Sequence, residues 1–284
     1  MNVDLILTDR ALQGLHLTSK KEGIKNQAYF SQKENLVRAL DAARDLGVRK
    51  ILCVPMEPLL SLLKKDRSRW SFEIFGVVPD FFKFVRDTSH YGTTGTALKR
   101  ILSMPILRKL RLIKVAIGNL PAVLGMKFEI AMNLFLMAEA SGFPRLKAMV
   151  LHSQITDLAL SLGQDNFFRI FHDVAKNELG ADPGLATINF CLLNAVLKRN
   201  SLAYPWLFAP FNPRGYQMNP NPQTCHYVLK SVPTGVIAEH WNLAHTIPQD
   251  VAASYLAQYP FAAATVEMED VLDPASKDWI RKLH

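Results

Sequence analysis

Imidazoles and carboxylates stand directly behind short apolar runs at several places in this chain. Thr8 and Asp9 follow VDLIL, His152 follows AMVL, Glu239 and His240 close VIAEH, and Glu267 follows AAATV. Side chains of these types transfer protons when a fold brings them together, and their convergence shifts their pKa values toward that task. His152 and His240 are the candidate proton-transfer groups, with Glu239 or Glu267 as partner or base. Adjacent residues on a strand face opposite sides, so only one of Glu239 and His240 should point inward. Asp9, His16, Asp157, Asn189, Asn212 and Arg214 are candidates for holding polar groups of a substrate. Asp157 reads equally well as a residue that caps or begins a helix.

Other chemistries fit less well. His152, one of Glu239 or His240, and Glu267 could offer a nitrogen–oxygen set to a divalent ion, so a metal stays open, although neither HxH nor HExxH occurs. The cysteines Cys53, Cys191 and Cys225 are far apart and include no CxxC, which argues against thiolate zinc, an iron–sulfur cluster or a disulfide framework. Lys50 and Lys147 begin apolar runs and no lysine ends one, which disfavours a Schiff-base mechanism. No GxGxxG turn follows Leu7, and the acidic stretches EHWNLAHTIP and EMEDVLDP lack glycine, so neither a phosphate cradle nor an NAD(P) site is supported.

The elements that must position these side chains alternate in type. Strands are expected at Val3–Leu7, Lys50–Val54, Phe72–Val78, Ala148–Leu151, Leu185–Phe190, Trp206–Phe211, Val236–His240 and Ala262–Val266. Helical stretches are expected at Lys33–Leu46, where Gly47 offers a C-terminal stop, and at Pro58–Lys65, Asp165–Leu179, Gln223–Leu229, Gln249–Gln258 and Pro274–Leu283. The strands are almost continuously apolar, as a parallel sheet covered on both faces requires. Eight strands alternating with helices over 284 residues predict an α/β fold, a (β/α)8 TIM barrel, with a doubly wound open sheet as the alternative. In such a barrel the strand ends converge on one mouth, and the candidates above all lie at or after strand ends. The chain is read as a single barrel over 1–284, with a long helical insertion at 80–144 after the third strand. LIKVAI at Leu112–Ile117 could be a ninth strand, but Arg108, Arg111 and Lys114 step by three and favour helix.

Composition narrows the class. Hydrophobic residues make up 49% and charged residues 20%, enough for a large core and too apolar for general disorder. The net charge of +8 comes almost wholly from Lys99, Arg100, Arg108, Lys109, Arg111, Lys114 and Lys127, with no acid between Thr88 and Phe128. Leu98–Met126 has no aromatic residue on which a base could stack, so a nucleic-acid partner is not expected. The basic helices at 98–127 could instead meet a protein partner or an anionic membrane, which defines the rival reading of a non-catalytic scaffold. No charge-free run is long enough to span a bilayer and MNVDLILTDR does not read as a signal peptide, so a cytoplasmic location is expected. The leading expectation is a small-molecule enzyme acting by acid–base chemistry on a small polar substrate, as an isomerase, lyase or hydrolase. A homo-oligomer stays open.

The pieces DLILTDRALQGLHL, LHSQITDLALSLG, PGLATINF and APFNPRGYQMNP resemble a poorly characterised group of archaeal and bacterial TIM-barrel proteins, loosely related to aldo/keto-reductase-like barrels. The resemblance runs over most of the chain and implies a mouth that includes His152, Asp157, Asn189 and Asn212. Two departures stand out. The group implies an Asn-Pro-Phe-like turn where this chain has Asp9-Arg10-Ala11, and a small Ser/Gly-rich turn where it has Glu239-His240 and Glu267. The Asp, Tyr, Lys and His tetrad of the reductases is not recognisable, so the resemblance does not extend to their activity.

Overall fold

The computed structural model describes residues 3–81, 83, 85–87, 89–90, 92, 128–233 and 235–283. Eight parallel strands close into a barrel in chain order: β1 (Asp4–Thr8), β2 (Lys50–Cys53), β3 (Glu73–Val78), β4 (Ala148–Leu151), β5 (Asp182–Ala186), β6 (Trp206–Pro210), β7 (Gly235–Glu239) and β8 (Ala263–Glu267). Strand β8 pairs with β1 along its full length, with Thr8 opposite Glu267. Among the described residues the helices with defined bounds are α1 (Lys20–Phe30), α2 (Lys33–Asp45), α3 (Leu59–Lys65), α4 (Phe128–Ala140), α5 (Ser153–Ser161), α6 (Asp165–Asp173), α7 (Phe190–Arg199), α8 (Pro222–Leu229), α9 (Gln249–Gln258) and α10 (Pro274–Leu283). Helix α2 stops as its sequence predicts, with Gly47 at φ +85°, where a left-handed residue ends the helix at least cost.

Alternation along the strands builds two apolar layers. Ile6, Leu52, Phe75, Val150, Phe208 and Ile237 fill the barrel interior, while Leu5, Leu7, Ile51, Leu151 and Val236 pack outward under the helices. Counting by two from the interior set puts Thr8 and Glu239 on the inward parity at the upper rim. At the opposite rim Lys50 pairs with Asp4, and Lys147 Nζ lies 3.0 Å from Asp182.

Strand β5 departs from expectation. It runs over Asp182–Ala186 rather than Leu185–Phe190. Pro183 and Gly184 read as strand breakers, but the interstrand space at Gly184 is tight: a Cβ there would lie 3.2 Å from Val150 Cγ2 and 3.3 Å from Trp206 Cβ, and these side chains would have to give way. The stretch expected as one helix over Asp165–Leu179 is α6 followed by a single wider turn at Val174–Glu178, where the Leu179 N–H donates to the Val174 carbonyl. Within the expected insertion, α4 packs on α6 and β3, and the Glu139 carboxylate accepts the Asp80 N–H at 3.2 Å. The basic segment 98–127 and Leu112–Ile117 lie outside the described residues. Among the described residues no helix is long and apolar enough to cross a membrane.

Candidate functional site

The mouth at the C-terminal ends of the strands holds a cavity of about 410 Å3. Its wall is divided. Leu52, Val54, Val77, Val150 and Ala186, on or just beyond β2 to β5, supply an apolar side, while β1, β7, β8 and their loops supply the charged side.

Arg10 organises the charged side. Strand β1 ends at Thr8, and the turn that follows turns the guanidinium back over the rim. Its Nη2 lies 2.5 Å from Glu267 Oε1 and 3.4 Å from Thr265 Oγ1, and its Nη1 lies 3.6 Å from Glu239 Oε1. The same Nη1 sits 3.2 Å from Nδ1 and 3.3 Å from Nε2 of His240. The Thr8 hydroxyl donates to the other oxygen of Glu267. Burial alone would pull the Arg10 pKa down, but Glu267 and Glu239 more than offset it and keep the cation charged. Burial pushes Glu239 above the usual carboxylate range, against the pull of Arg10.

Both residues of the Glu239–His240 pair line the cavity, although alternation allows an ideal strand only one. Glu239 keeps the inward parity. His240 adopts φ +55°, and this left-handed step swings its ring back to the same side. Burial and then Arg10 push the His240 pKa well below its ordinary value, so the ring stays neutral. His152 also lines the cavity. Its Nδ1 accepts the Gln154 N–H at 3.2 Å as the cap of α5, its ring stacks on Phe81 at 5.4 Å, and burial lowers its pKa to about 4. His16 reaches the wall while its Nδ1 accepts the Ser19 N–H at 3.2 Å, folding the turn before α1. Asp9 is fully enclosed: its two oxygens accept from Val54 N–H at 3.0 Å and Gln13 Nε2 at 2.7 Å, and burial raises its pKa to about 7.

The remaining candidates do not line this cavity. Asp157 sits in the middle of α5 rather than at its start, and accepts from the Thr187 hydroxyl at 2.5 Å and the Ile188 N–H at 3.1 Å. Asn189 lies three residues past the end of β5, at the N-cap of α7. The Asn212 amide closes its own loop, accepting the Tyr216 N–H and donating to the Tyr216 carbonyl, both at 2.9 Å. Arg214 donates to the Thr246 carbonyl at 2.7 Å.

Residues beyond the candidate site residues also line the cavity. Arg10 and Glu269 are recognisable in the sequence as polar residues after strand ends; His245 and Asp270, joined at 2.5 Å, lie further along their loops. Glu269 stands among Glu267 and Asp270, and burial with these neighbours pushes its pKa up to about 8. The signal for Arg10 was an arginine just past a strand end in a chain whose other strand ends carry unmatched glutamates. Nothing local in EHWNLAHTIP distinguishes His245. Among the described residues no three His, Cys, Asp or Glu side chains are placed to share a metal ion.

Comparison with known proteins supports the architecture. Over 98% of this chain and 88% of its own length, a protein described as an aldo-keto reductase from Pseudomonas aeruginosa superposes with a TM-score of 0.54 at 14% identity. The two share a fold. A thiamine phosphate pyrophosphorylase from Pyrococcus furiosus aligns over 99% of this chain and 93% of its own, at 10% identity and a TM-score of 0.46, which is too remote to support any argument. No protein-family model matches the chain, and no curated protein matches it in sequence.

Proposed function

We propose that the protein is a small-molecule enzyme that moves protons on a small polar substrate at the barrel mouth. One observation carries this reading: Arg10 is held between Glu239 and Glu267, against His240, in the wall of a cavity. Burying such a cluster is costly, and a packed apolar wall would stabilise a barrel at least as well. A carboxyl raised by burial beside an apolar wall, as Glu239 is, is suited to general acid–base catalysis. In this reading Glu267 and Glu239 exchange protons with the substrate and Arg10 keeps their charge in place. The neutral rings of His240 and His152 orient the substrate by hydrogen bonds, because a depressed pKa leaves them unprotonated near neutral pH. The acidic character of the charged side favours substrates that are not polyanions. The motif resemblance to the archaeal and bacterial barrels belongs to the same proposal, which extends to no reductase chemistry.

The test uses small-molecule extracts. Purified protein is incubated with a metabolite extract in heavy water, and untargeted mass spectrometry is compared with a Glu267→Gln control. At least one small polar metabolite should change in amount or gain deuterium with the wild-type protein, and Glu267→Gln should slow this by about 100-fold or more. A wild-type protein that leaves every metabolite unchanged removes the enzyme assignment.

A further inference from the structure

His245 and Asp270 come from different loops, after β7 and β8, and both line the mouth cavity. His245 Nε2 lies 2.5 Å from Asp270 Oδ1, and the Asp270 side chain is only 2% exposed. The second oxygen, Oδ2, accepts the Glu267 N–H at 3.0 Å, so the carboxylate is fixed at both ends. The ionised carboxylate accepts the Nε2 proton and thereby leaves Nδ1 with a lone pair. That Nδ1 makes no hydrogen bond to a described residue, and the side chain is 40% exposed.

The backbone that presents this ring is unusual. Leu243, Ala244 and His245 have φ of +46°, +50° and +63°, a run of left-handed residues without a glycine. Each such residue costs free energy, and strain of this kind persists where the surroundings enforce it. Here the Asn242 carboxamide accepts the Ala244 N–H at 3.1 Å and Arg214 holds the following Thr246 carbonyl. A simple tether between two loops would not need the ring set against the cavity with one nitrogen open.

Resting on the acid–base reading above, we propose that His245 and Asp270 form the second proton-transfer pair of the mouth, acting on a carbon or oxygen acid whose apolar part lies against the β2–β5 wall. The substrate C–H or O–H bond breaks, its proton passes to Nδ1, and the electron pair stays on the substrate. Asp270 balances the imidazolium, and the proton returns to substrate or solvent without any oxidant or reductant. The charged groups around the ring are Asp270, Asp273 and Glu269. The hydrogen bond to Asp270 is the main cause that raises the His245 pKa; burial opposes it, the charges of Asp270 and Asp273 add to it, and Glu269 adds to it only once it ionises. For His152 and His240 burial is the largest influence, and it lowers both pKa values.

The probe is 5-nitrobenzisoxazole, from which a base removes the ring proton while the N–O bond opens to a coloured cyanophenolate. Wild-type protein should outpace an equal concentration of free imidazole by about tenfold or more near neutral pH. His245→Gln can still donate an amide N–H to Asp270, so a loop tether survives, and it should lose that advantage while melting at an unchanged temperature. Asp270→Asn should move the inflection of the rate profile to lower pH, and added imidazole should restore His245→Ala. A wild-type rate no better than free imidazole, or a His245→Gln variant with the wild-type rate and pH profile, overturns the pair. If the metabolite found with the Glu267→Gln control is turned over equally by His245→Gln, the pair falls and the acid–base reading stands. If His245-dependent elimination persists while no metabolite reacts, the pair stands as a base and the enzyme reading falls.

Discussion

The two sides of the barrel mouth carry polar side chains of the same kinds and use them differently. On the side of β4, β5 and β6, Asp157, Asn212 and Arg214 spend their hydrogen bonds on nearby loops: Ile188 and Thr187, Tyr216, and the Thr246 carbonyl. On the side of β1, β7 and β8, Arg10, Glu239, Glu267 and His240 bond chiefly to one another and open on a cavity. For Asp157 and Asn212, reach explains the difference; Arg214 is long and is held by the Thr246 carbonyl instead. A short amide or carboxylate with an unpaired backbone group within hydrogen-bond distance is captured by it, because an unmade buried bond costs more than a made one gains. Long side chains around a single guanidinium satisfy each other and stay available to a ligand.

The sharpest way to break this contrast is Arg10→Met. It leaves Glu239 and Glu267 close together without their common cation, with side chains 13% and 23% exposed. Urea unfolding near pH 7 should show a loss of about 3 kcal/mol, in the range for removing one partner of a buried ion pair. Without the cation, nothing offsets the burial that already raises the folded-state pKa of Glu239. Its contribution is present at low pH and lost as pH rises, so part of the deficit should disappear near pH 5. A loss below about 0.5 kcal/mol at neutral pH would mean the cluster behaves like a solvated surface pair.

Asp157→Ala tests the opposite side. Two hydrogen bonds to the loop after β5 are removed and the cavity wall is untouched, so stability should fall by about 2 kcal/mol. Turnover per folded molecule, measured on whichever metabolite or on 5-nitrobenzisoxazole, should stay within about twofold of wild type. Undiminished stability with lost turnover would place Asp157 with the chemistry and erase the distinction between the two sides.

The barrel was legible because apolar runs and their spacing are local properties. Strands β1 to β4 and β6 to β8 lie within a residue or two of the expected positions. Strand β5 was displaced because Pro183 and Gly184 answer to packing against Val150 and Trp206, which only the closed sheet creates. The same divide governs the mouth. Asp9, His16, His152, Glu239, His240 and Glu267 follow strand ends and do line the cavity. Which of them are spent on backbone caps, as His16 and His152 are in part, depends on turns that spacing does not encode. His245 needs a left-handed backbone run and a partner 25 residues away, and neither leaves a local mark in the sequence.

Glu269→Gln gives the smallest effect and the finest test, because it asks whether the charged side is crowded enough to hold a carboxyl neutral. One oxygen of Glu269 accepts from Asn26 at 3.0 Å, a bond that glutamine keeps, and the other is buried without a partner among the described residues. Burial with Glu267 and Asp270 lifts its pKa to about 8, well above its ordinary value of 4.5. A carboxyl raised on folding stabilises fully below its unfolded pKa, and that contribution is lost as pH climbs through the folded one. Asp9, lifted to about 7, and His245, also raised, add to the decline in the same direction. His152 and His240, depressed on folding, act oppositely, but only as pH falls below their ordinary value of 6.5. The window from about pH 6.5 to 8.5 therefore isolates the raised groups. Wild-type stability should decline across it, and Glu269→Gln should flatten the decline by roughly 1 kcal/mol, after discounting for the part of the side chain that water reaches. Parallel wild-type and variant curves would show Glu269 ionised and solvated, and the crowding on the charged side would then rest on Arg10 and its two glutamates alone.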